Sequence, residues 1–276
     1  MEVLTKKGGD ARIVTLDTSY FTFIATQAAL RAGEILKKGF SSPFTTSSKP
    51  GMQNLVTEYD ILSEKSICQF VHEHFPDHNF LGEESGATTH TRTKSVLWII
   101  DPLDGTVNFA HRVPVFSVSI GVCVEEEILS GVVFQPMTGE LFVAEKNKGA
   151  YLNGSKIQVS STSHLNDALI ATGFPYNLNE NPKGCIDKHS SLLKHGYAMR
   201  RLGSAALDLS YLAAGRFDAY FEVSLQPWDM AAGKLIAEEA GALVTTYSGE
   251  KKSVFDTGPL LASNRILHSK MQQLLS

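Results

Sequence analysis

Apolar residues recur along the chain at two periods, one helical and one of two residues, and the changes of period mark the elements. Phe21, Ile24, Ala28, Ala32, Ile35 and Leu36 step at three and four residues, which predicts an amphipathic helix over residues 17–38. Asp17 or Thr18 can cap its start, and Gly39 follows its end. Residues 41–51 are rich in Ser, Thr, Pro and Gly and predict a loop carrying Lys49. A short apolar piece at 55–59 ends in Asp60. Helical spacing resumes over 61–75 with Ile61, Ile67, Phe70 and Val71 inward, which leaves Asp60 well placed as a helix N-cap. Phe80-Leu81 is a short strand that stops at Gly82-Glu83-Glu84-Ser85-Gly86. Neighbouring strand residues face opposite ways, so one of Glu83 and Glu84 can address a shared site while the other turns away or pairs locally.

From 113 to 159 the period is two. Val115, Ser117, Ser119 and Gly121 alternate with Phe116, Val118, Ile120 and Val122. Turn signals at 125–127, 137–139 and 153–154 divide the rest into an antiparallel meander of four or five strands. Asn153-Gly154-Ser155 fits a glycosylation sequon, but Asn-Gly between strands reads better as a hairpin turn. The second half alternates: a strand at 168–173, a loop at 177–184 and a helix at 185–195. A helix opened by Gly203-Ser204-Ala205-Ala206 and a strand at 217–223 with Asp218 and Glu222 follow. Gln226-Pro227-Trp228-Asp229 then opens a helix to 239–240 that Gly241 ends, and strands at 243–246 and 258–262 precede a helix from Asn264. The free amides of the helix start at Ser204 suit an anion, although a tight interhelical contact explains the same small residues. Asp229 also reads as an N-cap.

One stretch breaks both periods. The apolar run 96–100 ends in Asp101-Pro102-Leu103-Asp104-Gly105-Thr106. Proline removes an amide donor and fixes φ, so the strand stops there, and Gly105 permits a sharp turn. Two carboxylates forced together on such a turn repel unless a cation lies between them. Oxygen ligands, with a turn carbonyl such as that of Leu103, suit a hard divalent ion, Mg²⁺ above all. Asp-Pro-x-Asp-Gly is equally ordinary turn chemistry when taken alone.

Composition narrows the classes. The 276 residues are 43% hydrophobic and 20% charged with a net charge of −4, as in a globular protein without a basic field for nucleic acid or an anionic membrane. Cys68, Cys123 and Cys185 lie far apart and read as idle thiols in a reducing compartment. No apolar run reaches the roughly 20 residues of a membrane span. The first sixteen residues are polar, lack a signal-peptide core and read as a disordered tail, with the cytoplasm as the expected compartment. His111 has no second histidine at metal spacing and reads as structural.

Asp60, Glu83, Asp101, Asp104 and Asp229 all stand at element ends, where ligand sites of α/β folds gather. With the helix start at Ser204 and the cation Lys49 they suggest a two-metal phosphoryl-transfer site. No P-loop, G-x-S-x-G, H-E-x-x-H or G-x-G-x-x-G competes. In order and spacing, Leu81-Gly82-Glu83-Glu84-Ser85, the stretch Trp98 to Phe109 and Trp228-Asp229-Met230-Ala231-Ala232-Gly233 resemble the signatures of the inositol monophosphatase family. Val56-Thr57-Glu58-Tyr59-Asp60 and residues 114–121 match as well, and the resemblance covers roughly 20–265. Ala242 departs from the family's second glycine, and Leu103 and Val107 replace commoner residues.

The resemblance implies a layered α-β-α-β-α phosphatase fold of the α/β class. A mostly antiparallel sheet occupies an N-terminal half (about 17–160) and an α/β arrangement the C-terminal half (about 161–276) of one domain. It implies two or three Mg²⁺ ions, with Mn²⁺ as a possible substitute. Glu83, Asp101, the Leu103 carbonyl and Thr106 resemble the first ion's ligands, and Asp101, Asp104 and Asp229 the second's, with Glu83 touching a weaker third. Asp60 and Thr106 resemble the dyad that activates water, alongside Glu83 in the catalytic set. The Gly105 and Thr106 amides would hold the phosphate. Gly203, Ser204, Ala205, Glu222 and Asp229 would face the alcohol, and Lys49 lies on a loop over the site. The implied activity is hydrolysis of a phosphate monoester of a small polyol, myo-inositol 1-phosphate first, by a lithium-sensitive cytoplasmic homodimer without direct nucleic-acid binding. The alternatives are 3′-phosphoadenosine 5′-phosphate, fructose 1,6-bisphosphate or histidinol phosphate, or a non-catalytic role in a transcription complex.

Overall fold

The computed structural model describes residues 17–49, 54–87 and 96–276, together with the strand backbone of 2–7 and 10–15. Helices α1 (Thr18–Phe40) and α2 (Glu58–His74) cover one face of an eight-stranded sheet. Across that sheet the strands run Ser155–Ile157, Gly149–Leu152, Glu140–Glu145, Glu127–Gln135, Ser117–Val124, Leu97–Asp104, Asn79–Gly82 and Gly86–Ala87. All neighbours are antiparallel except Asn79–Gly82 beside Leu97–Asp104. After the short α3 (Thr106–Ala110) and the meander come α4 (Cys185–Lys194), α5 (Ala205–Ala213), α6 (Pro227–Glu239) and α7 (His268–Leu275). A second, five-stranded sheet orders Ala198–Arg200, Leu169–Thr172, Ala219–Glu222, Leu260–Ser263 and Leu243–Thr245, parallel in its first two pairings and antiparallel in the other two.

The hydrophobic core divides into four clusters, one for each contact between five layers. Trp98, Ile100, Val118, Ile120 and Val122 point toward α1 and α2, whose Ile24, Ala28, Ala32, Ile67 and Val71 meet them. Ile99, Cys123 and Val133 point the other way, onto Ala206, Leu207, Ala231 and Ala232 of α5 and α6. Strands buried on both faces read as unbroken apolar runs, which is why 96–100 shows no alternation. Leu209, Leu212, Met230 and Ala237 cover the inner face of the small sheet, and Leu192, Leu267, Met271 and Leu275 of α4 and α7 its outer face. The layered α-β-α-β-α architecture is thus the one expected. Helix α6 lies directly on the large sheet: a Cβ at Gly121 would stand 2.9 Å from Ala231 Cβ, and one at Gly131 2.8 Å from the Ala232 carbonyl oxygen.

The strand backbones Glu2–Lys7 and Asp10–Thr15 pair antiparallel, with Met1, Gly8, Gly9 and Leu16 outside the described residues. Several local expectations are corrected. The predicted loop 41–51 contains the strand Thr46–Ser48, which pairs with Leu55–Thr57, and its residues 50–51 also lie outside the described ones. Ile61 is 56% exposed, because the buried stripe of α2 runs through Asp60, Ser63, Glu64, Ile67, Phe70 and Val71 and position 61 lies to one side of it. The hairpin turn at Asn153-Gly154 forms as expected, between Gly149–Leu152 and Ser155–Ile157, with Asn153 (φ 49°) and Gly154 (φ 81°) a left-handed pair that matches sheet twist. Ala198–Arg200, between the predicted helices and assigned no element in the sequence, is an edge strand. Among the described residues no helix is long and apolar enough to cross a membrane.

Candidate active site

The strand Leu97–Asp104 builds the centre of the site where its pairing fails. Its register against Ser117–Val124 shifts between Asp101 and Asp104, at Pro102, which has no amide to donate. Ser63 Oγ donates to the Pro102 carbonyl at 2.8 Å, and the Leu103 amide donates to Asp101 Oδ1 at 3.0 Å. The Leu103 side chain is anchored in the core beneath α1 and α2. Gly105 (φ 103°) then turns the chain into α3, and a Cβ there would lie 3.0 Å from the Val115 carbonyl oxygen.

Asp60 and Asp229 reach the site from two helix starts, and neither is the N-cap. Thr57 caps α2 and Gln226 caps α6, so each aspartate is the third residue of its helix and reaches back to the cap. Asp60 Oδ2 accepts from the Thr57 amide at 2.7 Å and from Thr57 Oγ1 at 2.5 Å, while Oδ1 accepts from Thr106 Oγ1 at 2.9 Å. The Thr106 hydroxyl also lies 3.0 Å from the Leu103 carbonyl oxygen. Asp229 Oδ2 accepts from the Gln226 amide at 2.7 Å.

The helix start at Ser204 does receive an anion, and that anion belongs to the protein. Ser204 Oγ donates to Asp104 Oδ2 at 2.6 Å and the Ala206 amide donates to the same oxygen at 2.8 Å. These donors, expected to meet substrate, thus fix a carboxylate first. Glu83 leaves the strand Asn79–Gly82 with its amide on the Ile100 carbonyl. Lys49 Nζ bridges Glu83 at 3.1 Å and Glu84 at 2.5 Å, so of the two glutamates Glu84 pairs locally and Glu83 also reaches the cavity. Glu222 ends the strand Ala219–Glu222 and accepts from Tyr220 OH at 2.5 Å.

A cavity of about 560 Å³ joins these groups. Every site residue singled out in the sequence lines it except Asp60, which sits behind Thr106. Burial, then neighbouring carboxylates, pushes the carboxyls up: Asp101 and Asp229 lie well above the usual range, and burial chiefly raises Glu83 to about 7, Asp104 to about 6 and Glu222 to about 7. Burial pulls Lys49 down, yet Glu83 and Glu84 hold it above its ordinary value. Among the described residues no three carboxylates already surround one point as an ion shell. Lys49 occupies Glu83, while Asp104 and Asp229 each keep one oxygen on protein donors. The chemistry of the donor set nonetheless fits a hard divalent cation. It is oxygen-only, buried and mutually repelling.

Among the lining residues that went unread in the sequence, three bear on the site's chemistry. Asp208, buried in α5, has Oδ1 without a hydrogen-bond partner among the described residues, and an acid on an otherwise apolar helix face was its signal. Asn108 Nδ2 donates to the Val115 and Leu202 carbonyls, both at 2.8 Å, and ties α3 to the approach to α5. Tyr176 lines the same cavity, its hydroxyl among the site's carboxylates. Its hydroxyl is raised by burial and then by Glu83, Asp229, Asp101 and Asp104.

Fold and cavity together define a five-layer α/β protein with an acid-lined site between its two sheets. The chain belongs to the inositol monophosphatase family, whose model matches residues 17–276, and so to the phosphatase superfamily. It is 40% identical over 242 residues to the Nus factor SuhB of Escherichia coli K12, covering 87% of this chain and 90% of that protein. The structure of the extragenic suppressor protein suhB from Bartonella henselae superposes with a TM-score of 0.87 at 35% identity, covering 93% of this chain and 98% of that one. An inositol monophosphatase from Anabaena (Nostoc) sp. PCC 7120 gives a TM-score of 0.81 at 37% identity, covering 94% and 96%.

Proposed function

We propose that residues 17–276 act as one Mg²⁺-dependent phosphatase that hydrolyses a phosphate monoester of a small polyol, myo-inositol 1-phosphate before others. The observation that carries this reading is the convergence of Glu83, Asp101, Asp104 and Asp229 on one cavity, in a member of a phosphatase family. Glu83, Asp101, the Leu103 carbonyl, Asp104 and Asp229 would hold two or three Mg²⁺ ions, or Mn²⁺ in their place. The chemistry such ions supply is a lowered pKa for water and a counter-charge for the leaving oxygen.

The protein's own groups do the positioning. Asp60 Oδ1 takes the Thr106 hydroxyl proton, so the Thr106 oxygen presents lone pairs to the cavity. A water that donates there has its own lone pair turned away from Thr106, toward the phosphorus. The Gly105 and Thr106 amides would bind phosphate oxygens. Glu222, held by Tyr220, accepts from hydroxyls of the alcohol and repels a second phosphate, which favours a polyol over 3′-phosphoadenosine 5′-phosphate or fructose 1,6-bisphosphate. Gly203 and Ala205 leave room beside it. Lys49, paired with both Glu83 and Glu84, would yield Glu83 to an ion and keep Glu84.

A panel of these phosphates and histidinol phosphate, with and without Mg²⁺ and Li⁺, tests the reading. Inositol 1-phosphate turns over fastest, only with Mg²⁺, and Li⁺ inhibits. Asp104→Asn at saturating Mg²⁺ loses most activity, and retained turnover in that variant refutes the assignment. Light scattering tests the homodimer that goes with it. A second reading, a role in a transcription complex, is supported by the likeness to proteins named Nus factor SuhB. Binding of RNA polymerase components by the same Asp104→Asn variant supports it, and its failure leaves the enzyme alone.

A further inference from the structure

Glu64 lies on α2, one turn beyond Asp60, and is 4% exposed. It does not line the cavity. Both of its oxygens are committed to the turn that carries Glu83: Oε2 accepts from the Glu84 amide at 3.0 Å and Oε1 from the Ser85 amide at 2.8 Å. The preceding amide, that of Glu83, donates to the Ile100 carbonyl at 3.2 Å. Three successive amides are therefore fixed, the first by the sheet and the next two by one buried carboxylate.

Gly82 completes the arrangement. A Cβ there would stand 2.4 Å from Glu64 Oε2 and 2.6 Å from its Cδ. That is closer than any real contact, so the glycine makes room for the carboxylate. Two amide donors call for two acceptor oxygens. A glutamine would offer one oxygen and set its NH₂ against the other N–H.

We propose that Glu64 is a positioning residue for Glu83: it clamps the 83–85 turn so that the Glu83 carboxylate enters the cavity from one fixed direction before any ion arrives. The functional consequence rests on the metal-dependent reading above, and the clamp itself does not.

The test compares wild type with Glu64→Gln, Glu64→Asp and Gly82→Ala. Amide hydrogen exchange at Glu84 and Ser85 is followed in the metal-free protein by NMR, and Mn²⁺ binding by calorimetry. In Glu64→Gln those two amides exchange about tenfold faster or more, the expected scale for losing a hydrogen bond to a charged group. The Mn²⁺ dissociation constant rises about tenfold, while kcat at saturating metal moves less than about threefold, since the ion then restores the ligand's direction. Gly82→Ala, which drives the carboxylate off the amides, does the same, and the double variant is no worse than the worse single one. A purely structural role would lower the melting temperature without changing Mn²⁺ affinity well below it. Unchanged exchange in both Glu64→Gln and Gly82→Ala overturns the clamp. Wild-type Mn²⁺ affinity in those variants overturns the positioning role and leaves the metal reading standing. Wild type that binds no Mn²⁺ sinks the metal reading and the consequence drawn from it. Should Glu64→Gln fail to fold, Glu64→Asp and Gly82→Ala carry both measurements.

Discussion

Two helix starts in this molecule share one design and use it for opposite ends. In α2 and in α6 an aspartate at the third helical position reaches back to the cap residue's amide, at 2.7 Å in both. Asp60 spends everything on the protein: Thr57 supplies two donors to one oxygen and Thr106 one to the other. Asp229 makes one such bond and turns toward the cavity, where Asp104 and Glu83 raise its pKa after burial does. A saturated carboxylate can orient a neighbour but cannot bind an ion without losing a bond. A half-saturated one is fixed in place yet keeps an oxygen to give.

The contrast is broken most severely at Asp229. Asp229→Asn keeps an oxygen for the Gln226 amide and removes the charge, so activity falls on the order of a thousandfold, a loss of about 4 kcal/mol of transition-state stabilisation. In EDTA its thermal midpoint is unchanged or higher, because a repelling charge has gone. Steady-state rates at saturating Mg²⁺ and a melting curve check both halves, and a lowered midpoint would contradict the half-saturated picture. Asp60→Asn behaves differently. Activity falls about a hundredfold through the misaligned Thr106 hydroxyl, and stability falls with or without metal by about 1–2 kcal/mol, the scale of a lost cap. Urea unfolding in EDTA separates the two aspartates directly. Thr106→Val leaves Asp60 Oδ1 without its partner and costs about ten- to a hundredfold in kcat. Thr106→Ser restores most of it, and a serine variant as poor as valine would remove the hydroxyl from the argument.

What the sequence exposes here is what short stretches determine. The Asp101–Thr106 turn, the alternation from 115 to 122 and the apolar stripe of α1 depend on neighbouring residues and were legible. Asp60 and Asp229 were found as helix-start acids, but their position was misplaced by three residues, since a cap and the residue that answers it look alike in a sequence. The anion at the Ser204 helix start was foreseen and its owner was not. Asp104 lies a hundred residues away in the chain, and only the packing of α5 and α6 against the large sheet brings the two together. Glu64 was invisible for the same reason, since an acid inside a polar helix reads as a solvated face until the fold buries it, whereas the signal of Asp208, an acid in an apolar helix, was present and went unread. The strand Ala198–Arg200 is three residues long, too short for any period to show.

The gentlest expected effect tests the half-saturated side as a whole. In metal-free protein Glu83 is raised from 4.5 to about 7, Asp104 from 3.8 to about 6 and Glu222 from 4.5 to about 7, chiefly by burial. The folded state therefore binds protons more tightly than the unfolded one. For groups raised on folding, the stability they contribute is complete below the unfolded pKa, near pH 4, and is lost as pH rises through 6 and 7. The thermal midpoint in EDTA accordingly declines between about pH 5 and 8. Mg²⁺ at the upper end restores it, because binding to the folded form alone stabilises that form. Asp229→Asn, with one repelling charge fewer around the same cavity, shows a shallower decline, and Asp60→Asn, whose partners lie behind Thr106, keeps most of the slope. A midpoint in EDTA that climbs across this window would mean that the cavity carboxylates are already compensated by the protein, and that Lys49 alone neutralises a site read here as built for a divalent ion.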